Sequence, residues 1–217
     1  MAEPEDDRAA IRTAAESDVR ARVEAGDLKG AATLALETYG PELYGFLHAL
    51  ARDDDLAAEA FSTFSEDLWR GLQKFRWESS LRTWSYALAR NALWRLRRDP
   101  RRRAEHNIPI SDQSSNLAQL AVQVRTTTLP FLRTEIKDEL SRLRDELDPD
   151  DHALLILRID RRLSWRDIAR ALPPPDGGDP EAGLDKRAAT LRKRFERAKS
   201  LLRELADARG IIPPSEE

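Results

Sequence analysis

The residues best suited to chemistry lie between positions 75 and 98, where the chain reads FRWESSLRTWSYALARNALWRLRR. Guanidinium groups neutralise phosphates, aromatic rings can replace the stacking neighbours that an unpaired base loses, and the Asn91 amide can read a base edge. The short loop with Glu78, Ser79 and Ser80 could accept a flipped base. The pattern therefore indicates contact with opened nucleic acid. Taken singly, the same features also fit aromatic core packing and a solvated helix end.

The helix that must position these groups is predicted from Leu81 to about Arg98, with Ser80 as its cap and Pro100 as its stop. One face carries apolar side chains at spacings of three and four, namely Leu81, Trp84, Leu88 and Ala92. We expect Trp84 and Leu88 to be core residues flanked by Tyr86, Asn91 and Trp94. The arginines expected towards solvent are Arg82, Arg90, Arg97 and Arg98.

A second basic helix is predicted from about Asp185 to Ala208, ending at Gly210. Its apolar stripe consists of Ala188, Leu191, Phe195, Ala198 and Leu205, with Leu201 or Leu202 filling the gap. A short helix precedes it, from a Ser164 cap to Leu172. Such a pair is typical of a helix-turn-helix, whose second helix enters the major groove. A bundle helix whose bases pair with neighbouring acids is the alternative.

Charge is segregated along the 217 residues, although the formal net charge is only −3. Residues 1–70 carry 16 acids and 7 bases, residues 81–103 one acid and eight bases, and residues 185–205 three acids and eight bases. Two basic blocks in an acidic protein indicate two surfaces that meet polyanions. The acidic front half fits a basic protein partner or simple solubility.

The sequence contains few features that indicate an enzyme. It has no cysteine, which excludes a disulfide scaffold, a zinc finger of cysteines and a thiol nucleophile. The three histidines (His48, His106 and His152) are scattered, and no glycine-rich phosphate loop occurs. We expect no catalytic residue, no metal and no cofactor. Without a long apolar run or a signal peptide, a cytoplasmic protein is expected.

Ala, Leu, Arg and Glu dominate while β-branched residues are sparse, which predicts an all-α fold. We expect two small helical domains joined by a flexible linker, because residues 108–116 are polar and unpatterned. The predicted divisions are an extension at 1–27, a first domain at 28–100, the linker at 101–130, a helix-turn-helix domain at 131–210, and a tail at 211–217.

The remaining expected helices follow from caps and breakers. They are about Arg12–Glu24 after disordered residues 1–10, Leu28–Tyr39, a helix from Pro41 to Ala51, Leu56–Leu72 capped by the Asp53–Asp55 cluster, Phe131–Leu147, and a helix from Pro149 to about Ile159 capped by Asp148.

Taken together, Phe75-Arg76-x-Glu78-Ser79-Ser80-Leu81-Arg82-Thr83-Trp84-x-Tyr86-x-x-Ala89-Arg90-Asn91 and the upstream Leu68-Trp69-Arg70-Gly71-Leu72-x-x-Phe75 resemble region 2 of the extracytoplasmic-function sigma factors of RNA polymerase. The resemblance covers roughly residues 39–98. It implies that this segment opens the promoter minus-10 element and captures a flipped base. The residues implied in that contact are Arg76, Glu78, Ser79, Ser80, Arg82, Tyr86, Arg90 and Asn91.

The segment that docks on polymerase in this family departs from the usual pattern. An acidic Asp-Leu-x-Gln-Glu-x-Phe stretch would fall at residues 59–65, which read EAFSTFS, so only Glu59 keeps a matching charge. Nearby Glu66 and Asp67 could compensate. The resemblance implies polymerase contacts at Glu59, Ser62, Thr63, Glu66, Asp67 and Trp69.

The second half resembles region 4 of the same family, through Leu163-Ser164-Trp165-x-Asp167-Ile168-Ala169 and Thr190-Leu191-Arg192-x-Arg194-Phe195-x-Arg197-Ala198. The resemblance implies that the last helix contacts the minus-35 element through Arg187, Thr190, Arg192, Lys193, Arg194 and Arg197. A twelve-residue segment rich in Pro and Gly, residues 173–184, stands where a helix-turn-helix usually has three or four residues. Loop length costs little entropy, so the two helices can still pack.

The resemblance implies a non-catalytic sigma factor that binds the clamp helices and flap of core RNA polymerase and directs it to promoter DNA. Members of the family are commonly held by an anti-sigma factor, although no residue here indicates one. The alternative is a stand-alone helix-turn-helix transcription regulator, which would bind promoter DNA without polymerase.

Overall fold

A computed structural model describes residues 5–98, 112–134, 139–172, 179 and 181–211. All regular structure in these residues is helical, and none of them lies in a strand, which confirms the predicted all-α class. The chain divides into two compact units, Met1–Leu132 and Arg133–Glu217.

The first unit is built from long helices. They are α1 (Glu5–Glu24), α2 (Leu28–Ala51), α3 (Asp54–Leu72), α4 (Leu81–Arg98) and α5 (Asp112–Thr134), whose last turn crosses the division between the units. The second unit contains shorter helices and one long one. They are α6 (Glu139–Arg144), α7 (Pro149–Leu155), which continues into a π-helical turn (Ile156–Asp160), then α8 (Trp165–Ala171) and α9 (Leu184–Ala208).

Side-chain caps explain where several helices begin. The Asp53 carboxylate accepts a hydrogen bond from Leu56 N at 2.6 Å, and Ser80 Oγ accepts one from Thr83 N at 3.0 Å. In the second unit Asp148 accepts from Asp150 N and Ser164 from Asp167 N. Each cap satisfies a backbone donor that the first turn leaves without an intrahelical partner. The predicted caps are therefore confirmed.

Helix α2 differs from the prediction of two helices divided before Pro41. It runs without a break from Leu28 to Ala51, with Pro41 inside. Proline removes one helical hydrogen bond. Buried neighbours on both sides, including Tyr39, Leu43 and Tyr44, hold the two halves in line against the rest of the unit.

The core of the first unit lies among α2, α3 and α4. Tyr44 meets Phe61 edge to face, with ring centroids 5.4 Å apart, and Phe46 meets Tyr86 in the same way at 5.0 Å. Such pairs add a directional preference to the apolar burial that stabilises the core.

The buried face of α4 agrees with the predicted one only in part. Leu81 and Ala92 of the predicted stripe are fully buried, whereas Trp84 and Leu88 are only half-buried. A second stripe, Tyr86, Ala89, Leu93 and Leu96, is also fully buried. Two apolar stripes run along this helix, and periodicity alone cannot decide which of them faces α2 and α3. Because Tyr86 packs against Phe46 of α2, the stripe that contains Tyr86 faces α2.

Two segments predicted to lack order are helical. Helix α1 begins at Glu5, whereas residues 1–10 were predicted to be disordered. Helix α5 lies largely inside the predicted linker of 101–130, and it buries Leu117, Ala121 and Val124 at helical spacing. Residues 99–111 lie outside the described residues, so the first part of that linker stays a prediction. The predicted helix of 131–147 is realised as the end of α5 and as α6, with residues 135–138 undescribed.

In the second unit α8 packs against α9. The rings of Trp165 and Phe195 meet edge to face at 5.4 Å, and Ala169, Leu184 and Ala188 form a small buried cluster beside them. Most of the Pro/Gly segment, residues 173–178 and 180, lies outside the described residues. The two helices therefore pack together across this segment, as the low entropic cost of loop length allows.

Polar contacts hold the two sides of that segment as well. Arg170 on α8 donates two hydrogen bonds to the Glu181 carboxylate, at 2.8 and 2.9 Å. Arg187 on α9 donates to the Ala169 carbonyl at 2.6 Å and to the Ala182 carbonyl at 2.9 Å. These bonds join α8, the segment before α9 and α9 itself.

Candidate nucleic-acid interface

The loop between α3 and α4, residues 73–80, is organised by aromatic rings. Phe75 stacks on Trp84 with centroids 4.5 Å apart and an interplanar angle of 17°, and Trp77 lies 4.8 Å from Phe75. A Cβ at Gly71 would come within 2.8 Å of the Trp84 ring, so this ring needs a glycine beneath it. Trp84 thus supports the loop from below rather than filling the core.

Trp77 has a backbone φ of 59°, in the left-handed region that bulky side chains rarely adopt. Its ring packs on Phe75 on one side, and the Arg20 guanidinium lies 5.5 Å from the ring centroid. These contacts help to offset the cost of the unusual backbone. Trp77 was not predicted as a site residue, since the strained conformation that marks it is visible only in the structure.

The polar residues of the loop are accessible. The Arg76 side chain is 81% exposed and lies 3.9 Å from Glu78, whose side chain is 53% exposed. Ser79 is half-buried, and Ser80 is exposed while it caps α4. The predicted loop residues therefore form one accessible group at the start of α4.

Arg82 and Tyr86 are in the interior, whereas Arg82 was expected to lie towards solvent. Arg82 is 9% exposed and Tyr86 0%, and both donate hydrogen bonds to Glu42 on α2. Burial opposes the charge of Arg82, but the Glu42 carboxylate outweighs it and raises the pKa of the guanidinium. These two residues join α4 to α2.

Glu16 of α1 adds to this internal network. It accepts hydrogen bonds from the Arg82 backbone N–H at 3.2 Å and from the Tyr39 hydroxyl at 3.1 Å. Burial, together with the Glu16 carboxylate, raises the pKa of the Tyr39 hydroxyl above its ordinary value, so Tyr39 stays a neutral donor. Helix α1 is thereby part of the scaffold beneath α4 and not a separate extension.

Further along α4 the predicted residues separate into two groups. Arg90 is buried, with its guanidinium 4.7 Å from the ring centroid of Trp94, whereas it was expected to lie towards solvent. Asn91, next to it, is exposed. The Arg97 guanidinium lies 5.1 Å from the ring centroid of Trp94, and Arg97 donates to the Leu50 carbonyl at 2.5 Å. Arg98 is exposed.

The residues predicted to bind polymerase lie on α3 but not on one open face. Thr63 is buried at 5% exposure, whereas Glu59, Ser62, Glu66, Asp67 and Trp69 are half-buried. Glu66 lies 3.5 Å from Arg70, and Asp67 accepts a hydrogen bond from Arg95 on α4.

On α9 the predicted residues again fall into two groups. Four are exposed, namely Thr190, Arg192, Lys193 and Arg197. Arg187 instead donates to the two backbone carbonyls that join α8 and α9. Lys186 was missed by the prediction; it is exposed one turn before Thr190, whose hydroxyl donates to the Lys186 carbonyl at 3.0 Å.

Arg194 is held by the first turn of α7. It donates to Asp148 at 2.9 Å and to Asp151, and it lies 3.9 Å from Asp150. Partial burial opposes its charge, but the hydrogen bond and charge of Asp151, with the other two carboxylates, raise the pKa of its guanidinium. Arg194 therefore has ion-pair partners that the sequence did not reveal, because only the fold brings them to it.

These features define an all-α protein with two accessible basic helices, the first preceded by an aromatic loop. Residues 35–103 match the family model of Sigma-70 region 2, and this segment contains most of α2, all of α3 and α4, and the aromatic loop. No curated protein and no solved structure matches the chain. The match covers less than half of the chain, and it supports a Sigma-70 region 2 domain with a role in transcription initiation in this segment.

Two other observations concern the described residues alone. None of the helices there is long and apolar enough to cross a membrane. No cluster of three or more His, Cys, Asp or Glu side chains in that part of the chain could hold a metal ion.

Proposed function

We propose that this protein is a sigma factor of the extracytoplasmic-function type, which binds core RNA polymerase and directs it to promoters with minus-10 and minus-35 elements. The observation that carries the proposal is the match of residues 35–103 to Sigma-70 region 2, on a helical unit whose loop and α4 present accessible polar residues. In this proposal residues 28–98 act on the minus-10 element and the second unit acts on the minus-35 element.

At the minus-10 element the contacts are assigned to the accessible residues. Arg76, Glu78 and Ser79 surround the position of a captured base, Asn91 reads a base edge, and Arg98 neutralises the backbone. Arg82, Tyr86 and Arg90 keep this surface in place from below, because they are buried against Glu42 and Trp94. Phe75, Trp77 and Trp84 supply the rigid aromatic floor of the loop.

The minus-35 contact is assigned to one stripe of α9, formed by Lys186, Thr190, Lys193 and Arg197. These residues follow one another at helical spacings of three and four, and all are exposed. Arg192 lies beside the stripe and can reach a phosphate. Because Arg187 and Arg194 are joined to α8 and α7, they orient the helix instead of reading bases.

Polymerase docking is assigned to α3 through Glu59, Ser62, Glu66 and Asp67. Carboxylates steer and orient a basic partner surface. The Asp67–Arg95 ion pair connects this helix with α4. Docking and promoter contact therefore rest on helices that pack directly on each other.

Run-off transcription tests the proposal. Purified core polymerase is given a promoter library with and without the protein, and transcripts are mapped. We expect new transcripts downstream of a shared two-block motif. Absence of stimulation and of co-migration with polymerase would reject it, and binding of the isolated protein to promoter DNA would then favour the stand-alone regulator.

A further inference from the structure

Helix α5 occupies a surface of the first unit formed by α2 and α3. It buries Leu117, Ala121 and Val124, whereas Val122 on the same helix is 47% exposed. A Cβ at Gly40 of α2 would lie only 3.0 Å from Cγ1 of Val124, so the absence of a side chain at Gly40 lets α5 approach the α2 backbone closely.

A polar contact fixes α5 on α3 as well. Arg125 lies next to the buried Val124, and its Nη1 is 3.3 Å from the Ala58 carbonyl and 3.5 Å from Ser62 Oγ. The Ser62 hydroxyl itself donates to the same Ala58 carbonyl at 3.0 Å. The guanidinium thus donates a hydrogen bond to the Ala58 carbonyl and lies close to Ser62.

Ser62 belongs to the α3 residues to which polymerase docking is assigned, and Glu59 lies one turn away from it. The other docking residues, Glu66 and Asp67, lie further along α3, beyond the contacts described for Arg125. Among the assigned docking residues, Ser62 is therefore in contact with α5.

We propose that the surface formed by Gly40, Ala58 and Ser62 is a helix-docking site that α5 and core RNA polymerase occupy in alternation. In the free protein α5 fills it, and polymerase engages α3 fully only after α5 has left. This inference rests on the proposed docking role of α3. The apparent affinity for polymerase then depends on the fraction of molecules in which α5 is released.

A reversible disulfide tests the alternation directly. The chain has no cysteine, so the double variant G40C/V124C contains only the designed pair. The close approach of position 40 to Val124 suits a disulfide, whose Cβ atoms lie about 3.8 Å apart. We expect the oxidised full-length variant to bind core polymerase at least about tenfold more weakly than the same protein after reduction, because locking removes the competent fraction.

Three results are distinguishable in this experiment. Weaker binding that recovers on reduction supports the alternation. Equal binding by the oxidised and reduced forms overturns it and leaves polymerase docking intact. Lack of binding by the wild-type protein and by both forms rejects the proposed docking itself. Wild-type protein carried through the same oxidation and reduction controls for effects of the reagents.

A pair of matched substitutions gives an independent readout without a crosslink. Val124→Asp places a charge in the buried contact, and Val122→Asp places the same charge two residues away on the exposed side of α5. If α5 is docked in about nine molecules of ten, its release raises the apparent affinity for polymerase about tenfold. We expect this gain for V124D and wild-type affinity for V122D. Equal affinities for both variants, with wild-type unfolding of α1–α4, would overturn the inference.

Discussion

Helices α4 and α9 carry similar numbers of arginines but use them in different ways. In α4 the first two arginines, Arg82 and Arg90, are buried beneath the surface and the exposed ones come late. In α9 the fixed arginines, Arg187 and Arg194, alternate with exposed cations along one helix. A cationic helix is therefore not uniformly a binding surface, and the partner of each guanidinium decides whether it is scaffold or interface.

The two helices also differ in what fixes them. In α4 a single carboxylate, Glu42, accepts from both Arg82 and Tyr86 in the interior. In α9 three carboxylates at the edge of the unit share Arg194, which remains 37% exposed. Removing the ion-pair partner of a buried charge costs much free energy. Near the surface the cost is smaller, because water replaces part of the lost interaction.

The largest expected effect is therefore at Arg82. Arg82→Ala removes the hydrogen-bonded cation of Glu42, whose side chain is 14% exposed, and leaves Arg12 at 3.8 Å from that carboxylate. It should lower the free energy of unfolding of the first unit by about 3 kcal/mol. Arg98→Ala, at the exposed end of the same helix, should change it by less than about 0.5 kcal/mol. Urea denaturation followed by amide hydrogen exchange in α2 and α4 measures both. Similar stabilities of the two variants would break the distinction between scaffold and interface in α4.

Asn91 tests the interface part of α4 in the same way, because it is exposed although it lies beside the buried Arg90. Asn91→Ala should reduce open-complex formation roughly tenfold, since one good base contact contributes about 1–3 kcal/mol. Thermal unfolding should not change. Asn116→Ala, an exposed asparagine on α5, is the matched control and should leave initiation unaltered. Unchanged initiation by N91A at limiting protein would reject the assigned contact.

Adjacent residues on α9 provide a smaller test. Arg194→Ala should lower the stability of the second unit by about 1 kcal/mol, because partial exposure screens its ion pairs. Lys193→Ala should leave stability unaltered and reduce the salt dependence of promoter binding by about one released ion. Thermal denaturation and binding titrations at several salt concentrations separate the two effects. The assignments would be reversed if R194A alone changed the salt dependence.

The smallest expected effect depends on pH. The hydrogen bonds from Arg170 hold the pKa of Glu181 below its ordinary value, so folding gains stability from this group above its unfolded pKa. That gain is lost as the pH falls below about 4.3 and through the folded pKa. Glu181→Gln should therefore weaken the second unit at pH 7 and make its stability less sensitive to acid. Parallel pH profiles of the wild type and E181Q would contradict this role.

Local sequence signals predicted where the helices begin and end better than they predicted which residues the helices pack against. Helix α4 spans the predicted Leu81–Arg98 because its cap, Ser80, lies next to it in the chain. The direction in which α4 faces depends on Phe46 and Glu42, which are about 40 residues away. Periodicity shows two apolar stripes there and cannot choose between them.

The candidate site follows the same rule. Asn91 and the loop residues could be selected from their types and spacing, since exposure there needs no distant partner. The fixed roles of Arg82 and Arg194 depend on carboxylates that are 40 and at least 43 residues away in sequence, so spacing could not reveal them. Helix α5 was missed for a related reason. It begins with polar residues, and the apolar stripe that follows is buried only because it packs near Gly40, which is distant in sequence.

The ion pair between Arg170 and Glu181 indicates where a tag can be inserted for experiments in cells. Because both ends of the intervening segment are held in register, a change in its length alters neither α8 nor the start of α9 directly. Doubling a loop costs only about 0.6 kcal/mol in closure entropy. Residues 174–178 are therefore a suitable place to insert an epitope or a fluorescent reporter, with both basic helices left in their native sequence.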